Sequence, residues 1–399
     1  MPLKDLFLLD PEVVFLNHGS FGACPKPVFE AYQEWQRRLE RQPVHFLGTE
    51  FTEHMRVARA ALGGYLGAEA DDLVFVPNAT YGVNVIARSL DLQPGDEILT
   101  SDHEYGACDR AWTFVCRKSG AVYRHQPVGY PAGSAEEIAE QIWQGVTGQT
   151  RLIFLSHITS PTGLTLPVAE ICARARQVGI LTLIDGAHAP GQISLDLEAL
   201  GADFYTGNCH KWMLAPKGAA FLHARREAQE MVEPLVVSWG WEQPESELPE
   251  SKQPESLKLS GCSELGRFIE EQEWRGTDDP SACLAVPAAI DFMRRHDWAP
   301  LRPACHALAK QAIRRIQELT DLPCAYQHEH SYHQMAVAEL PRQRDLPAFK
   351  ARLYEKHRVE APCIEWNGRH FIRISVQGYN EQRDIDCLID ALRQMLHSQ

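Results

Sequence analysis

The sequence predicts an α/β protein: a large domain on a mixed, mainly parallel sheet, followed by a small C-terminal α+β domain. Three observations predict it. Short apolar runs of strand formers, such as Leu73–Pro77, Arg151–Leu155 and Leu181–Ile184, recur between amphipathic helical stretches. Near Pro300 the pattern changes to one long helix, Leu301–Leu319, then separate strands and a further helix, Asp345–His357. Finally, Asp185 and Lys211 each follow a strand-like run, which puts both at the carboxyl edge where open α/β sheets bind ligands. The expected division is an N-terminal segment near the site (1–25), a large domain (26–298) and a small domain (299–399).

Composition narrows the function class. The 399 residues are 44% apolar and 23% charged, ordinary for a globular enzyme with a large core. A formal net charge of −14 argues against nucleic acid or an anionic membrane as partner, since both require basic footprints. No apolar run reaches the length of a membrane span. The start, MPLKDLFLLDPEVV, carries acidic residues within its apolar part and does not read as a signal peptide. Eleven dispersed cysteines without a C-x-x-C pair point to reduced thiols in the cytoplasm.

The chemistry centres on Leu181–Leu222. Asp185 ends an apolar strand, and Lys211 lies between His210 and Trp212 just before an Ala215-Pro216-Lys217-Gly218 turn. A strand-end carboxylate and a flanked lysine are the pair that pyridoxal phosphate needs. The lysine holds the aldehyde as a Schiff base, and the carboxylate keeps the pyridine nitrogen protonated. The motifs DGAHAPG and GNCHKWMLAPKG resemble the class V branch of fold-type I pyridoxal-phosphate enzymes, the isopenicillin N epimerase-like group in particular. Cysteine desulfurases and selenocysteine lyases are cousins. The resemblance runs from about Phe15 to Asn380 and implies a fold-type I architecture.

In chain order, Phe15–Gly22 (FLNHGSFG) reads as a turn, and the resemblance places Asn17 and His18 beside the substrate. Pro27–Arg41 is a predicted helix, Gln42–Glu50 a loop in which His45 and Phe46 either touch substrate or pack, and Glu53–Leu66 a second helix. Strand Leu73–Pro77 leads through Asn78-Ala79-Thr80 into a helix from about Tyr81, an arrangement suited to a phosphate, with Thr80 also a candidate N-cap. After strand Glu97–Thr100, Tyr105 opens a helix ending near Lys118. The resemblance implies that Tyr105 stacks on the pyridine ring, with His103 the second candidate.

Strands Ala121–Gln126 and Arg151–Leu155 flank an acidic helix, Ser134–Gly145; Ser160 follows where desulfurases carry an asparagine that contacts the ring hydroxyl. Pro167–Val178 is the crossover helix to the central strand. His188 stands where desulfurases have glutamine, while Asn208 and His210 match phosphate-contacting positions. Glu242–Lys258 reads as a surface excursion. In EWRGTDD, Gly276 and Thr277 match a segment that completes the partner's site, which implies a homodimer with shared active sites.

In the C-terminal part, the histidines around Gln327–His333 lack catalytic metal spacing and read as a solvated loop. Val359–Cys363 and His370–Ser375 read as strands paired around a Trp366-Asn367-Gly368 turn. RISVQGYN matches the family's C-terminal motif, whose arginine, here Arg373, clamps the substrate carboxylate. The implied function is a pyridoxal-phosphate enzyme acting on an amino acid through a Lys211 Schiff base and Cα-proton removal, as an epimerase or C–S lyase. A desulfurase or selenocysteine lyase, a class V aminotransferase and a non-catalytic binding protein are the alternatives. A desulfurase requires a persulfide-forming cysteine on an exposed loop, and Cys363, the nearest candidate, falls on a predicted strand.

Overall fold

The computed structural model describes residues 2–241 and 266–396, so the Glu242–Lys258 excursion lies outside the described residues. After the short strand β1 (Val14–Phe15) come β2 (Leu73–Val76), β3 (Glu97–Ser101), β4 (Val122–Gln126), β5 (Thr150–Ser156), β6 (Leu181–Asp185), β7 (Phe204–Asn208) and β8 (Ala220–Ala224). β2 to β8 form one seven-stranded sheet in the order β2-β8-β7-β6-β5-β3-β4. Every neighbouring pair is parallel except those made by β8, which runs antiparallel to both β2 and β7.

The central strands read as unbroken apolar runs because both faces are covered. The pleat sorts their side chains by parity. Leu152, Phe154 and Leu183 enter one core, while Ile153, Leu155 and Ile184 enter the other. β4, at the sheet edge, is only partly buried and carries the polar sequence VYRHQ.

The C-terminal part contains β9 (Met335–Leu340), β10 (Val359–Glu360), β11 (Cys363–Trp366) and β12 (Arg369–Ser375). The order β11-β12-β9 makes a three-stranded antiparallel sheet. Helix Trp298–Thr320 packs on β9. The β11–β12 turn puts Asn367 and Gly368 at φ 48° and 71°, the left-handed pair that a two-residue hairpin requires.

The structure differs from the sequence reading in three places. The expected strand Val359–Cys363 is split by Pro362: Val359–Glu360 pairs in parallel with β1, and only Cys363–Trp366 pairs with β12. The N-terminal segment is thereby stitched to the small sheet, with Leu16 N–H donating to the Glu360 carbonyl and Ser375 N–H donating to the Leu16 carbonyl. The expected loop Gln42–Glu50 is helical and runs into helix Phe51–Leu66. Within it Phe46 is fully buried against Trp35 and His54, a packing residue, and His45 faces Glu50 at the surface. The phosphate-type helix starts at Ala79, two residues early, with Asn78 and not Thr80 as its cap.

Candidate active site

Parallel registration sets the site's floor. Ser156 and Asp185 end β5 and β6 side by side, with Thr206 of β7 paired to Asp185 and β7 running on to Asn208. The Asp185 carboxylate is 3% exposed. It accepts the Ala187 N–H at 2.9 Å and the Cys108 thiol at 3.5 Å. Among the described residues no cation pairs with it directly, and burial raises its pKa against the opposing pull of the Ala187 N–H and Lys211.

The chain reverses tightly after β7 and presents Lys211. Leu214 N–H donates to the Lys211 carbonyl at 3.0 Å, with Leu214 itself held left-handed at φ 65°. A branched apolar residue there costs about 1–2 kcal/mol, which the surrounding packing offsets. Two glycines allow neighbouring backbone to close on this turn. A Cβ at Gly22 would lie 2.1 Å from the His210 carbonyl oxygen, and one at Gly191 would lie 2.3 Å from the Trp212 carbonyl. His18 sits beneath the lysine, fully buried: one ring nitrogen donates to the Lys211 carbonyl at 3.1 Å, and the other accepts from the Tyr379 hydroxyl at 3.0 Å. Burial lowers its pKa to about 3, so this ring is neutral.

The Lys211 amine lies 3.2 Å from His188 Nε2, and His188 Nδ1 accepts the indole N–H of Trp212 at 3.3 Å. Burial lowers the Lys211 pKa to about 8; Asp185 opposes the shift and Arg373 adds to it. About a tenth of this lysine is therefore unprotonated at pH 7, far more than of an ordinary lysine, and that is the state a nucleophilic amine requires.

Two anion-binding features face the edge. Helix Ala79–Ser89 begins beside β7, because the Asn208 side-chain oxygen accepts the Ala79 N–H at 2.9 Å while Asn78 accepts from Tyr81. Between them the Thr80 backbone N–H and hydroxyl stand in the first turn, where the helix dipole favours negative charge. The other is Arg373 on β12. Its guanidinium donates to the Ser160 carbonyl at 2.5 Å and to the Ser20 hydroxyl at 3.0 Å, with its buried Nε unpartnered among the described residues.

The family model of class V aminotransferases matches residues 14–388. The isopenicillin N epimerase of Amycolatopsis lactamdurans is 36% identical, over 97% of this chain and 96% of its own length. A probable chloroplastic L-cysteine desulfhydrase of Arabidopsis thaliana is 27% identical over 96% of this chain and 83% of its own. The apo structure of a cysteine desulfurase from Thermococcus onnurineus superposes with a TM-score of 0.82 at 19% identity, covering 100% of this chain and 98% of that one. The chain belongs to the class V aminotransferase family. It has the fold-type I architecture, and class V enzymes of this kind use pyridoxal phosphate.

The residues present fit that cofactor on their own chemistry. A buried carboxylate without a cation suits a pyridinium N–H, a lysine with a lowered pKa suits an imine, and a helix N-terminus suits the phosphate. The structure gathers Asp185, His188 and Lys211 by direct contact or mutual electrostatic influence, and joins Asn208 to Ala79. Tyr105 stands at the N-cap of helix Gly106–Ser119, half exposed and within electrostatic reach of Arg373. Ser160 faces Arg373 through both its carbonyl and its hydroxyl.

His210, Asn17, His103, Gly276 and Thr277 each have neighbours of their own. His210 gives its Nδ1 proton to the Ala219 carbonyl at 3.1 Å, and burial lowers its pKa to about 4. In the neutral ring Nε2 carries the remaining lone pair, and a neighbouring anion would favour its protonation. Asn17 donates to Glu360 and accepts from Ser20, so it supports Ser20, which in turn receives Arg373. His103 is buried against Thr162 and Trp366. Among the described residues Gly276 and Thr277 make no hydrogen bond to Lys211, Asp185 or Asn208; Gly276 lines a cavity of about 240 Å³ with Tyr32, Phe51, Lys217 and Arg275.

Sequence reasoning missed Ser20, Trp212 and Cys108 as residues of this site. Ser20 and Trp212 adjoin motif residues, at FLNHGSFG and HKW, and their polar side chains were the available signal. Cys108 gave none, because its contact with Asp185 is set by helix packing.

Proposed function

We propose that this chain is an amino-acid epimerase or C–S lyase of the pyridoxal-phosphate-dependent class V enzymes. The observation that carries the amino-acid reading is Arg373: a buried guanidinium that among the described residues has no carboxylate partner and whose charge acts on Lys211. Lys211 would hold the cofactor, Asp185 its ring nitrogen, and the first turn at Ala79-Thr80 its phosphate, with the Asn208 side-chain NH2 a further donor. Bound there, the cofactor supplies an electron sink for charge developing at Cα. Arg373 fixes the substrate carboxylate, which holds the Cα–H bond near the Lys211 amine. The Lys211 amine would accept the Cα proton. Return of a proton from the opposite face gives the epimer; departure of a sulfur substituent from Cβ gives the lyase outcome.

Both outcomes match activities named for the relatives. Product formation across D- and L-amino acids and sulfur-bearing substrates tests the reading: stereoinversion supports one branch, sulfide with a keto acid the other. Keto acid formed with stoichiometric amination of the cofactor, and neither of these products, would instead make the protein an aminotransferase.

Asp185→Asn is expected to retain cofactor and to slow exchange of the Cα proton with deuterium by about tenfold or more, since an amide cannot match a charge-assisted hydrogen bond. Unchanged exchange on a true substrate would remove Asp185 from this role.

A desulfurase needs an accessible thiolate. Cys363 is paired in β11 opposite Ile372, and burial pushes its thiol up to about 12. Cys363→Ser is expected to cost about 1 kcal/mol of stability and to leave turnover intact. Abolished sulfide release with normal cofactor binding would put desulfuration first.

The reading includes a homodimer with shared sites. Phe21, Val44 and Trp239 are 74%, 82% and 68% exposed, an apolar display that a second copy would cover. Gly276 and Thr277 would then approach the partner's phosphate. A cytoplasmic setting accords with the dispersed cysteines, and no helix of the described residues is long and apolar enough to cross a membrane.

A further inference from the structure

The contacts of His188 fix more than its position. Trp212 Nε1 is a donor only, so the His188 Nδ1 that receives it must carry a lone pair. Burial lowers the His188 pKa well below its ordinary value, so the ring is neutral and its single proton sits on Nε2. That Nε2–H points at the Lys211 amine 3.2 Å away. Two donors facing one another repel, so this contact favours the form of the lysine that answers with a lone pair.

We propose that Trp212 is a positioning residue that locks His188 in its Nε2–H tautomer and thereby favours the neutral amine of Lys211 over its ammonium. Trp212 acts through His188 and touches no reacting atom. It is fully buried, packed beside Ile158, Ala189 and Met335, with its ring against His18, so its N–H has a fixed direction. The other charged or titratable groups that act on Lys211 are Asp185 on β6, Arg373 on β12 and Cys108 on helix Gly106–Ser119; Asp185 and Cys108 favour the ammonium, and Arg373 disfavours it. His188 also feels Arg373, His18 and His210, each of which disfavours its protonation. The indole N–H decides which of the two nitrogens of the neutral ring meets the amine. The consequence for catalysis rests on Lys211 being the cofactor lysine, while the tautomer lock does not.

Trp212→Phe keeps an aromatic ring and removes the donor. Neutral His188 can then place its proton on Nδ1 and offer Nε2 to an ammonium, which stabilises protonated Lys211. The experiment uses the cofactor-free full chain, with amine-selective labelling of Lys211 followed across pH by peptide mass spectrometry. The wild-type midpoint is expected near 8. In Trp212→Phe it is expected to rise by about one pH unit, a roughly tenfold loss of reactivity at neutral pH. A folded Trp212→Phe protein with an unchanged midpoint overturns the proposal.

If that variant does not fold, the wild type decides alone. Nitrogen NMR of histidine-labelled protein, with His188 assigned by its loss in His188→Gln, should show an unprotonated Nδ1 and a protonated Nε2; the reverse pattern overturns the tautomer lock. Borohydride trapping of the holoenzyme on another lysine would refute the cofactor assignment and leave the tautomer result standing.

Discussion

Lys211→Ala is expected to abolish the borohydride-reducible link between protein and cofactor and to lower turnover by at least about 10²–10⁴-fold, the range attributed to a positioned general base. The side chain combines two tasks that no neighbour can assume together. It must be unprotonated to attack a carbonyl carbon, and burial supplies that by lowering its pKa to about 8. It must also sit over the sheet edge, which the Leu214 turn and the close approach of Gly22 and Gly191 enforce. Lys217 cannot replace it, since its amine is committed to the Gly22 carbonyl at 3.1 Å. Cofactor should still bind the variant through Asp185 and the Ala79-Thr80 turn, but reversibly. Mapping of the reduced linkage to another lysine in the wild type would refute the assignment.

Much of the large domain could be read from the chain because its causes are local or periodic. β5 and β6 are apolar runs of the right length between helices, and the strand-end position of Asp185 follows once they are parallel neighbours. Asn78, Lys211 and Arg373 stood out for the same reason: each sits at the end of an element or in a compact motif. Long-range contacts decided what was not legible. β8 runs antiparallel because its partners are β2 and β7, neither of them adjacent to it through a crossover helix. His18 was placed beside the substrate, yet its environment is made by Tyr379 and the Lys211 carbonyl, 361 and 193 residues away. The same holds for the tautomer of His188: the sequence shows that a tryptophan follows the lysine, and only the fold shows where its N–H points.

Arg373→Met is expected to raise KM for the amino-acid substrate by about 10- to 150-fold, the equivalent of 1.5–3 kcal/mol for hydrogen bonds to a charged group. Arg373 is 5% exposed on the central strand of the small sheet, paired to Val337 of β9 on one side, with Arg373 N–H donating to the Pro362 carbonyl. Burial lowers its pKa only to about 10, so it remains a cation at neutral pH. A buried cation without a counter-charge is destabilising, and the Ser160 and Ser20 oxygens compensate it only in part. A planar substrate carboxylate supplies both the missing charge and an acceptor for the free Nε. The loss should therefore follow the carboxylate: an amine that differs from the substrate only by lacking that group should bind wild type and variant alike. Arg373→Lys, which keeps the charge and loses the fork, should fall between them. A Met variant with unchanged KM would move the carboxylate site elsewhere and take the amino-acid reading's principal support with it.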